Sequence, residues 1–481
     1  MTNNPVVIIG AGPAGLTAAY ELAKQGIKPI VLEKANQVGG ISRTETYKGY
    51  HFDIGGHRFF TKVEVIKQLW QEVLQEDFIK VPRLSRIYYQ GRFFNYPLNV
   101  FDTLYNLGIF ESSLILWSYW QAQWQPLAVE DNFEQWVINR FGERLYRTFF
   151  KTYTEKVWGI PCHQIQAEWA AQRIKGLSLQ SAVINAIFGS NQSKTLIKEF
   201  DYPVLGPGMM WQRFQEKVEN LGGEVHLNTG VLRLELQGRR ITKIITQDDD
   251  KLRQITGDNF ISSMPITTLI KRLNPSPPQA VIAAAEQLKY RDFLIVALIV
   301  DAEHLFPDNW IYIHSLGVKV GRIQNFKNWS PAMVPDPNKT CLGMEYFCNS
   351  SDDLWMMSDN DLIDLATHEL EILNLAKGYK VEDGIVIRQP KAYPVYDQNY
   401  RQHLAVIRNF LDTIENLQTT GRNGMHRYNN QDHSMLTGLL AAKNVLGEEH
   451  DLWEVNTERS YYEDFSTEAA NKDSDQYLVS K

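Results

Sequence analysis

A chain of 481 residues is too long for one small module and should divide into more than one structural unit. With 44% apolar, 12% aromatic and 22% charged residues it lies in the globular range, away from disordered and collagen-like compositions. A net charge of −7 argues against a nucleic-acid or anionic-membrane surface, and three scattered cysteines (Cys162, Cys341, Cys348) offer neither a disulfide framework nor a zinc spacing, which fits a reducing, cytoplasmic setting.

In chain order, Met1 to Pro5 lacks the basic region of a secretory leader, so none is expected. Pro5 to Ile9 is an apolar, β-branched run that leads into Gly10-Ala11-Gly12-Pro13-Ala14-Gly15 and then into Leu16, Ala19, Leu22 and Ala23 at helical spacing. The pattern is strand, glycine turn, helix. Gly10 permits the tight turn, Gly12 lets backbone approach a pyrophosphate, and Gly15 lets helix and strand pack closely. A second strand, Lys28 to Leu32, ends at Glu33, where a carboxylate accepts hydrogen bonds from an adenosine ribose. Leu84 to Pro97 predicts a hairpin turning at Gln90-Gly91, and Val100 to Lys198 is dominated by helical apolar repeats such as Phe133-Trp136-Val137-Phe141. Within it Leu104 to Trp124 is greasy, but Asn106, Glu111, Gln121 and Gln123 interrupt it, so a helix of a soluble domain is expected rather than a membrane span.

Further along, Glu224 to Val231 reads as a strand pair and Asn259 to Pro265 as a strand ending at a Pro-started helix. Phe293 to Asp301, Asn309 to His314 and Lys339 to Phe347 are β-rich, and Asp432-His433-Ser434 is placed to cap a helix running through Leu436, Leu439 and Leu440 to Val445. The stretch from Ser466 is polar enough for a tail. The 11 histidines show no ligand spacing, so no metal site is expected.

After Glu33 and Lys34, a second glycine turn, Gly39-Gly40-Ile41-Ser42-Arg43-Thr44, resembles the FAD-binding signature of the amine oxidase, phytoene desaturase and protoporphyrinogen oxidase superfamily. Within it, Gly49 to Phe60 with the Gly55-Gly56-His57 loop, Lys156 to Pro161, Trp169 to Arg173, Gly421-Arg422 and Arg427 to Ser434 are similar in order and spacing to UDP-galactopyranose mutases, particularly the eukaryotic type. The resemblance implies an α/β fold: a discontinuous Rossmann-type FAD-binding domain (1–83, 200–268, 410–465), an inserted helical domain (100–199), an antiparallel β-sheet substrate domain (84–99, 269–409) and a tail (466–481). It implies that FAD is held by Gly10, Gly12, Pro13, Ala14, Gly15, Glu33, Lys34, Gly39, Gly40, Ser42, Arg43, Gly55, Gly56, His57, Val231, Ser263, Arg422, Asn430, Gln431, Asp432 and Ser434.

The same resemblance implies interconversion of the pyranose and furanose forms of a nucleotide sugar, most simply a UDP-hexose, with N5 of reduced flavin as nucleophile. Arg173 and Arg322 then grip the substrate diphosphate, with Tyr312, Tyr393 and Tyr428 bonded to its phosphates. Trp310, Asn328 and Asn430 neighbour the sugar, Tyr96 and Trp158 the nucleotide, and His57 sits on a loop sensitive to flavin redox state. Thr154 and Asn99 replace the family's asparagine and glutamine near the base, which leaves the base open. An external reductant, NAD(P)H or a redox partner, is implied, since no second dinucleotide motif is visible, and a homo-oligomer is possible. The amino-terminal signature fits equally an FAD oxidoreductase acting on a glycan or lipid precursor.

Overall fold

The structure, a computed structural model, describes residues 5–96, 98, 100–167, 198–248 and 251–456. Five parallel strands form one sheet in the spatial order Leu417–Thr419, Asn259–Ser262, Val6–Ile9, Ile30–Leu32 and Glu224–His226. Val6–Ile9 lies in the middle, with Val7 and Ile8 fully buried, as expected of parallel strands covered on both faces. The strands come from chain positions as far apart as Val6 and Thr419, so this is a Rossmann-type unit interrupted by the rest of the molecule. Pro13 occupies the first position of the helix Pro13–Lys24, where a missing N–H costs nothing. That helix packs against Gln431–Val445 so closely that a Cβ added at Gly438 would lie 2.1 Å from the carbonyl oxygen of Ala14.

The expected β-rich segments are strands of a seven-stranded sheet ordered Val381–Pro394, Tyr290–Val300, Thr340–Cys348, Arg322–Asn325, Trp310–Ile313, Ser85–Tyr89 and Arg92–Asn95. The predicted hairpin turns at Gln90 (φ 49°) and Gly91 (φ 78°), the two positive φ values that a tight hairpin turn demands. The purely antiparallel expectation needs one correction: Ser85–Tyr89 lies parallel to Trp310–Ile313. These strands come from distant parts of the chain, so no short turn forces them to run in opposite directions.

A smaller sheet, Lys251–Thr256, Arg240–Asp248, Gly230–Gln237 and Leu273–Asn274, covers one flank. The helices Val100–Leu107, Ile109–Trp124, Phe133–Phe141 and Thr152–Trp158 occupy the region predicted to be helical, and Phe133, Phe141, Tyr146, Phe149 and Trp158 pack onto Ile87 and Phe94 of the hairpin. The rest of that region, 168–197, and the tail, 466–481, lie outside the described residues. The terminal helix starts earlier than predicted, at Gln431, because Asn430 is its N-cap and forms a capping box with His433. Asp432 thereby falls in the first turn, where the helix dipole favours its charge.

Candidate active site

A groove of about 660 Å³ opens at the carboxyl ends of Val6–Ile9 and Ile30–Leu32, the position where open α/β sheets take ligands. Its floor is bare backbone. Gly10 has φ +98°, and a Cβ there would lie 2.3 Å from Ser263 Oγ. A Cβ on Gly15 would lie 1.9 Å from the Gly10 carbonyl oxygen. Gly12 faces Gly40, whose Cα is the nearest atom to an added Cβ, at 3.8 Å, so the two turns leave a wall without side chains. The helix Pro13–Lys24 has no acidic residue in its first turn, which leaves its N–H groups suited to a diphosphate.

The buried Glu33 carboxylate accepts from Ala11 N–H at 2.8 Å and Ala35 N–H at 2.9 Å, and its remaining lone pairs suit ribose hydroxyls. Arg43 is held by Glu45 (2.6 Å), Gln389 (2.8 Å) and the Gly40 carbonyl (2.9 Å), while Ser263 Oγ donates to Ile9 O at 3.0 Å. A cradle of glycine, helix N-terminus and carboxylate fits a dinucleotide.

The groove meets a second, smaller cavity of about 160 Å³, and His57, Arg422, Asn430 and Gln431 line both. Side chains build this one. Arg322 stands directly across from Glu345 on the adjacent strand, and its Nε donates to that carboxylate at 2.5 Å. Gln324, two residues on and therefore on the same face, donates to Glu345 at 2.9 Å and accepts from Trp329 Nε1 at 3.0 Å. Burial opposes the charge on Arg322, but the Glu345 carboxylate outweighs it, and the guanidinium pKa stands well above its ordinary value. A cation is therefore fixed at a buried wall.

On the same cavity the Tyr393 and Tyr428 rings stack at 5.7 Å and 13°, with the Arg422 guanidinium 4.8 Å from the centre of Tyr428. Trp310 Nε1 and Gln431 Oε1 are buried without a protein partner among the described residues, which leaves polar valences for a ligand. His57 Nε2 donates to Ile54 O at 2.9 Å. Burial, and then the Arg422 charge, push its pKa down to about 4, so the imidazole is neutral near pH 7. Gly55 (φ +98°) and Gly56 carry the loop beneath it, and a Cβ on Gly56 would stand 3.1 Å from Gln324 Nε2.

Of the residues singled out from sequence, the cavity brings together His57, Trp310, Tyr312, Arg322, Tyr393, Arg422, Tyr428, Asn430, Gln431 and Asp432. Tyr96 and Trp158 stand one layer back: Tyr96 lies 4.7 Å from the ring of Tyr312, and Trp158 lies 6.4 Å from that of Tyr393. Asn328 lines neither cavity, and its amide nitrogen donates to Phe306 O at 2.8 Å and Asp308 O at 2.9 Å. Arg173 lies outside the described residues.

Gly10, Gly12, Pro13, Ala14, Glu33, Lys34, Gly40, Ser42, Arg43, Val231, Ser263 and Ser434 line the groove. Gly15 and Gly39 act behind it: a Cβ on Gly39 would meet Trp211 at 2.9 Å. Gly55, Gly56 and Asp432 line the small cavity and not the groove. Sequence reasoning missed Arg58, Gln324, Trp329 and Glu345. For Glu345 a signal existed, because a lone carboxylate inside the fully buried strand Thr340–Cys348 requires a buried partner.

Comparison with known proteins agrees with this geometry. The family model described as "Flavin containing amine oxidoreductase" matches residues 13–386. A 15-cis-phytoene desaturase from an Oncidium hybrid cultivar is 25% identical over 393 residues, covering 76% of this chain and 64% of the desaturase. An L-amino acid oxidase of Crotalus durissus cumanensis is 44% identical over 70 residues, 14% of each chain. Alignments thus span less than two thirds of these relatives. Among solved structures, reduced UDP-galactopyranose mutase superposes with a TM-score of 0.83 at 22% identity, covering 96% of this chain and all of that one. A putrescine oxidase triple mutant superposes with a TM-score of 0.60 at 17% identity, covering 93% and 99%. At these identities the likeness is one of fold.

Proposed function

The chain belongs to the flavin containing amine oxidoreductase family, a flavin enzyme superfamily, and from that premise we propose that it is a flavin-dependent nucleotide-sugar mutase. The pyranose and furanose forms of a UDP-hexose, UDP-galactose first among them, are the substrates of this reading. The observation that carries it is the cavity itself: Arg322 and Arg422 among Tyr312, Tyr393 and Tyr428, beside the flavin groove. An apolar substrate brings no charge to this cavity, whereas a diphosphate brings acceptors for half-buried Arg422, which has no carboxylate partner among the described residues, and for the N–H groups that Arg322 does not spend on Glu345.

Bound FAD in its reduced form would supply the nucleophile toward the anomeric carbon. Arg322, held charged by Glu345, binds the diphosphate and stabilises the charge that develops as it departs. Tyr312, Tyr393 and Tyr428 offer hydroxyl donors to the same oxygens, and the resemblance assigns a second grip to Arg173, which lies outside the described residues. Trp310 and Asn430 bound the sugar, which orients the anomeric carbon toward the groove. Neutral His57, bonded to Ile54 O, fixes the loop at the junction of groove and cavity. An external reductant, NAD(P)H or a redox partner, keeps the flavin competent, and the cytoplasm supplies both reductant and nucleotide sugar.

A second reading, an FAD oxidoreductase of a glycan or lipid precursor, is favoured by the family match itself. Chromatographic conversion of UDP-galactofuranose to UDP-galactopyranose separates the two. Anaerobic, dithionite-reduced enzyme should turn over while oxidised enzyme does not. Inactivity in both states, with flavin bound, would move the assignment to another nucleotide sugar, and hydride uptake from a glycan or lipid precursor would move it to the oxidoreductase.

A further inference from the structure

Lys156, on the helix Thr152–Trp158, lines neither cavity and spends its charge on backbone. It reaches the loop 314–321, which joins Trp310–Ile313 to Arg322–Asn325. The carbonyl oxygens of Ile313 (3.3 Å), Ser315 (3.2 Å), Val318 (3.0 Å) and Val320 (3.0 Å) all accept from its Nζ. An ammonium has three N–H donors, so four carbonyls converging on one nitrogen mean that the loop is wrapped around the charge. Burial pushes the Lys156 pKa down to about 8 while the Glu369 charge opposes that fall, so the side chain stays mostly protonated at pH 7.

Tyr312 and Arg322, which line the small cavity on either side of this loop, stand directly across from each other. Tight hairpin loops run to about five residues, so a longer one needs support from outside its own strands. Glu369 supplies part of it, accepting from Lys319 N–H at 2.5 Å and Val320 N–H at 2.9 Å. Tyr153 lies three residues before Lys156 and so on the same helix face; it stacks on His314 at 4.6 Å and 6° and meets Tyr312 edge-on at 5.7 Å. The helix is pinned in turn, since Arg291 of Tyr290–Val300 donates to Val157 O at 3.1 Å and Lys156 O at 3.3 Å, carbonyls at the helix end that have no intrahelical donor. Resting on the reading of the cavity as a diphosphate grip, we propose that Lys156 is a positioning residue for it: by drawing four loop carbonyls onto Thr152–Trp158, it holds Tyr312 and Arg322 together at one wall. Glu345 sets the charge of Arg322, and Lys156 sets its place beside Tyr312.

Calorimetric titration of the flavin-loaded full chain with UDP, together with amide hydrogen exchange, tests this. Lys156→Met keeps the length of the side chain and removes its charge, and should weaken UDP binding roughly tenfold at an unchanged flavin-to-protein ratio. Exchange should quicken at Ile313 and Gly321, whose amides close the loop by donating to Gly321 O at 2.9 Å and Glu345 O at 2.8 Å, and not across the Rossmann-type sheet. Lys156→Arg, which keeps a cation with N–H donors, should recover most of the lost affinity. Should the methionine variant fail to load flavin, Lys156→Gln, uncharged but still a donor to the carbonyls, replaces it with the same expectations. Wild-type UDP affinity in the uncharged variant would overturn the proposal, as would equal losses in the uncharged and arginine variants, or exchange that quickens evenly over the whole chain. A wild type that does not bind UDP would overturn the diphosphate reading itself and this role with it, whereas wild-type binding that the uncharged variant retains would strike the role of Lys156 alone.

Discussion

The large groove and the small cavity meet at His57, Arg422, Asn430 and Gln431, yet they are made of different material. Backbone forms the groove: glycines at Gly10, Gly12 and Gly40, the first turn of Pro13–Lys24, and one carboxylate held by two N–H groups. Such a surface tolerates no added atoms but needs little help from distant sequence. Side chains form the cavity, drawn from Gly55 to Asp432, and its central cation exists only because Glu345 on the next strand balances it. The groove is consequently vulnerable to volume and the cavity to unbalanced charge.

The largest expected effect breaks the groove. Gly15→Ala places a methyl 1.9 Å from a backbone oxygen that cannot retreat without moving the turn. The variant should lose its flavin absorbance and about 3 kcal/mol of stability, the upper range for overpacking, measured by spectrum and denaturant melt. A yellow protein of wild-type stability would mean that the turn is not rigid.

Next, Arg322→Ala should cut turnover by more than about 100-fold while flavin stays bound, and should destabilise the fold by about 3–5 kcal/mol because Glu345 is left buried and unpaired. The double variant R322M/E345L sharpens the contrast, since removing both charges should restore stability but not turnover. Recovery of activity in the double variant would remove Arg322 from the site.

A smaller effect concerns pH. Burial holds the pKa of His426 down to about 4, well below the ordinary 6.5. Between those values the unfolded chain binds the proton first, so stability falls as pH drops through that window. His426→Phe should flatten the curve by up to about 1.4 kcal/mol per pH unit, and other titrating groups cancel in the difference. Parallel curves would show that folding does not lower the His426 pKa.

The groove was legible in the sequence because it rests on short-range rules. Gly10, Gly12, Gly15 and Glu33 obey spacings set by one turn and two strands, and the hairpin at Gln90-Gly91 is equally local. The cavity was legible in part, and only through resemblance. Tyr312, Arg322, Tyr393 and Tyr428 are ordinary residues until tertiary structure gathers them: strand register sets Arg322 across from Tyr312 and Glu345, and ring stacking brings Tyr393 to Tyr428 from outside those strands. The place of Asn328 is tertiary in the same way: its amide nitrogen donates to Phe306 O and Asp308 O, contacts that spacing does not encode. The parallel pairing of Ser85–Tyr89 with Trp310–Ile313 is likewise a product of tertiary assembly.

The smallest expected effect lies where the two regions touch. Burial is the main cause of the low His57 pKa of about 4, and the Arg422 charge comes second. Arg422→Met removes that cation but keeps the bulk against Tyr393 and Tyr428, so the His57 pKa should rise yet stay below 6.5. NMR titration of the imidazole in the flavin-loaded protein reads this directly. A rise to 6.5 or above would make the cation, not burial, the controlling influence, and the junction would then belong electrostatically to the cavity. An unchanged pKa would mean that the groove's desolvated wall alone sets the charge of His57, and that the two regions share side chains but not their electrostatics.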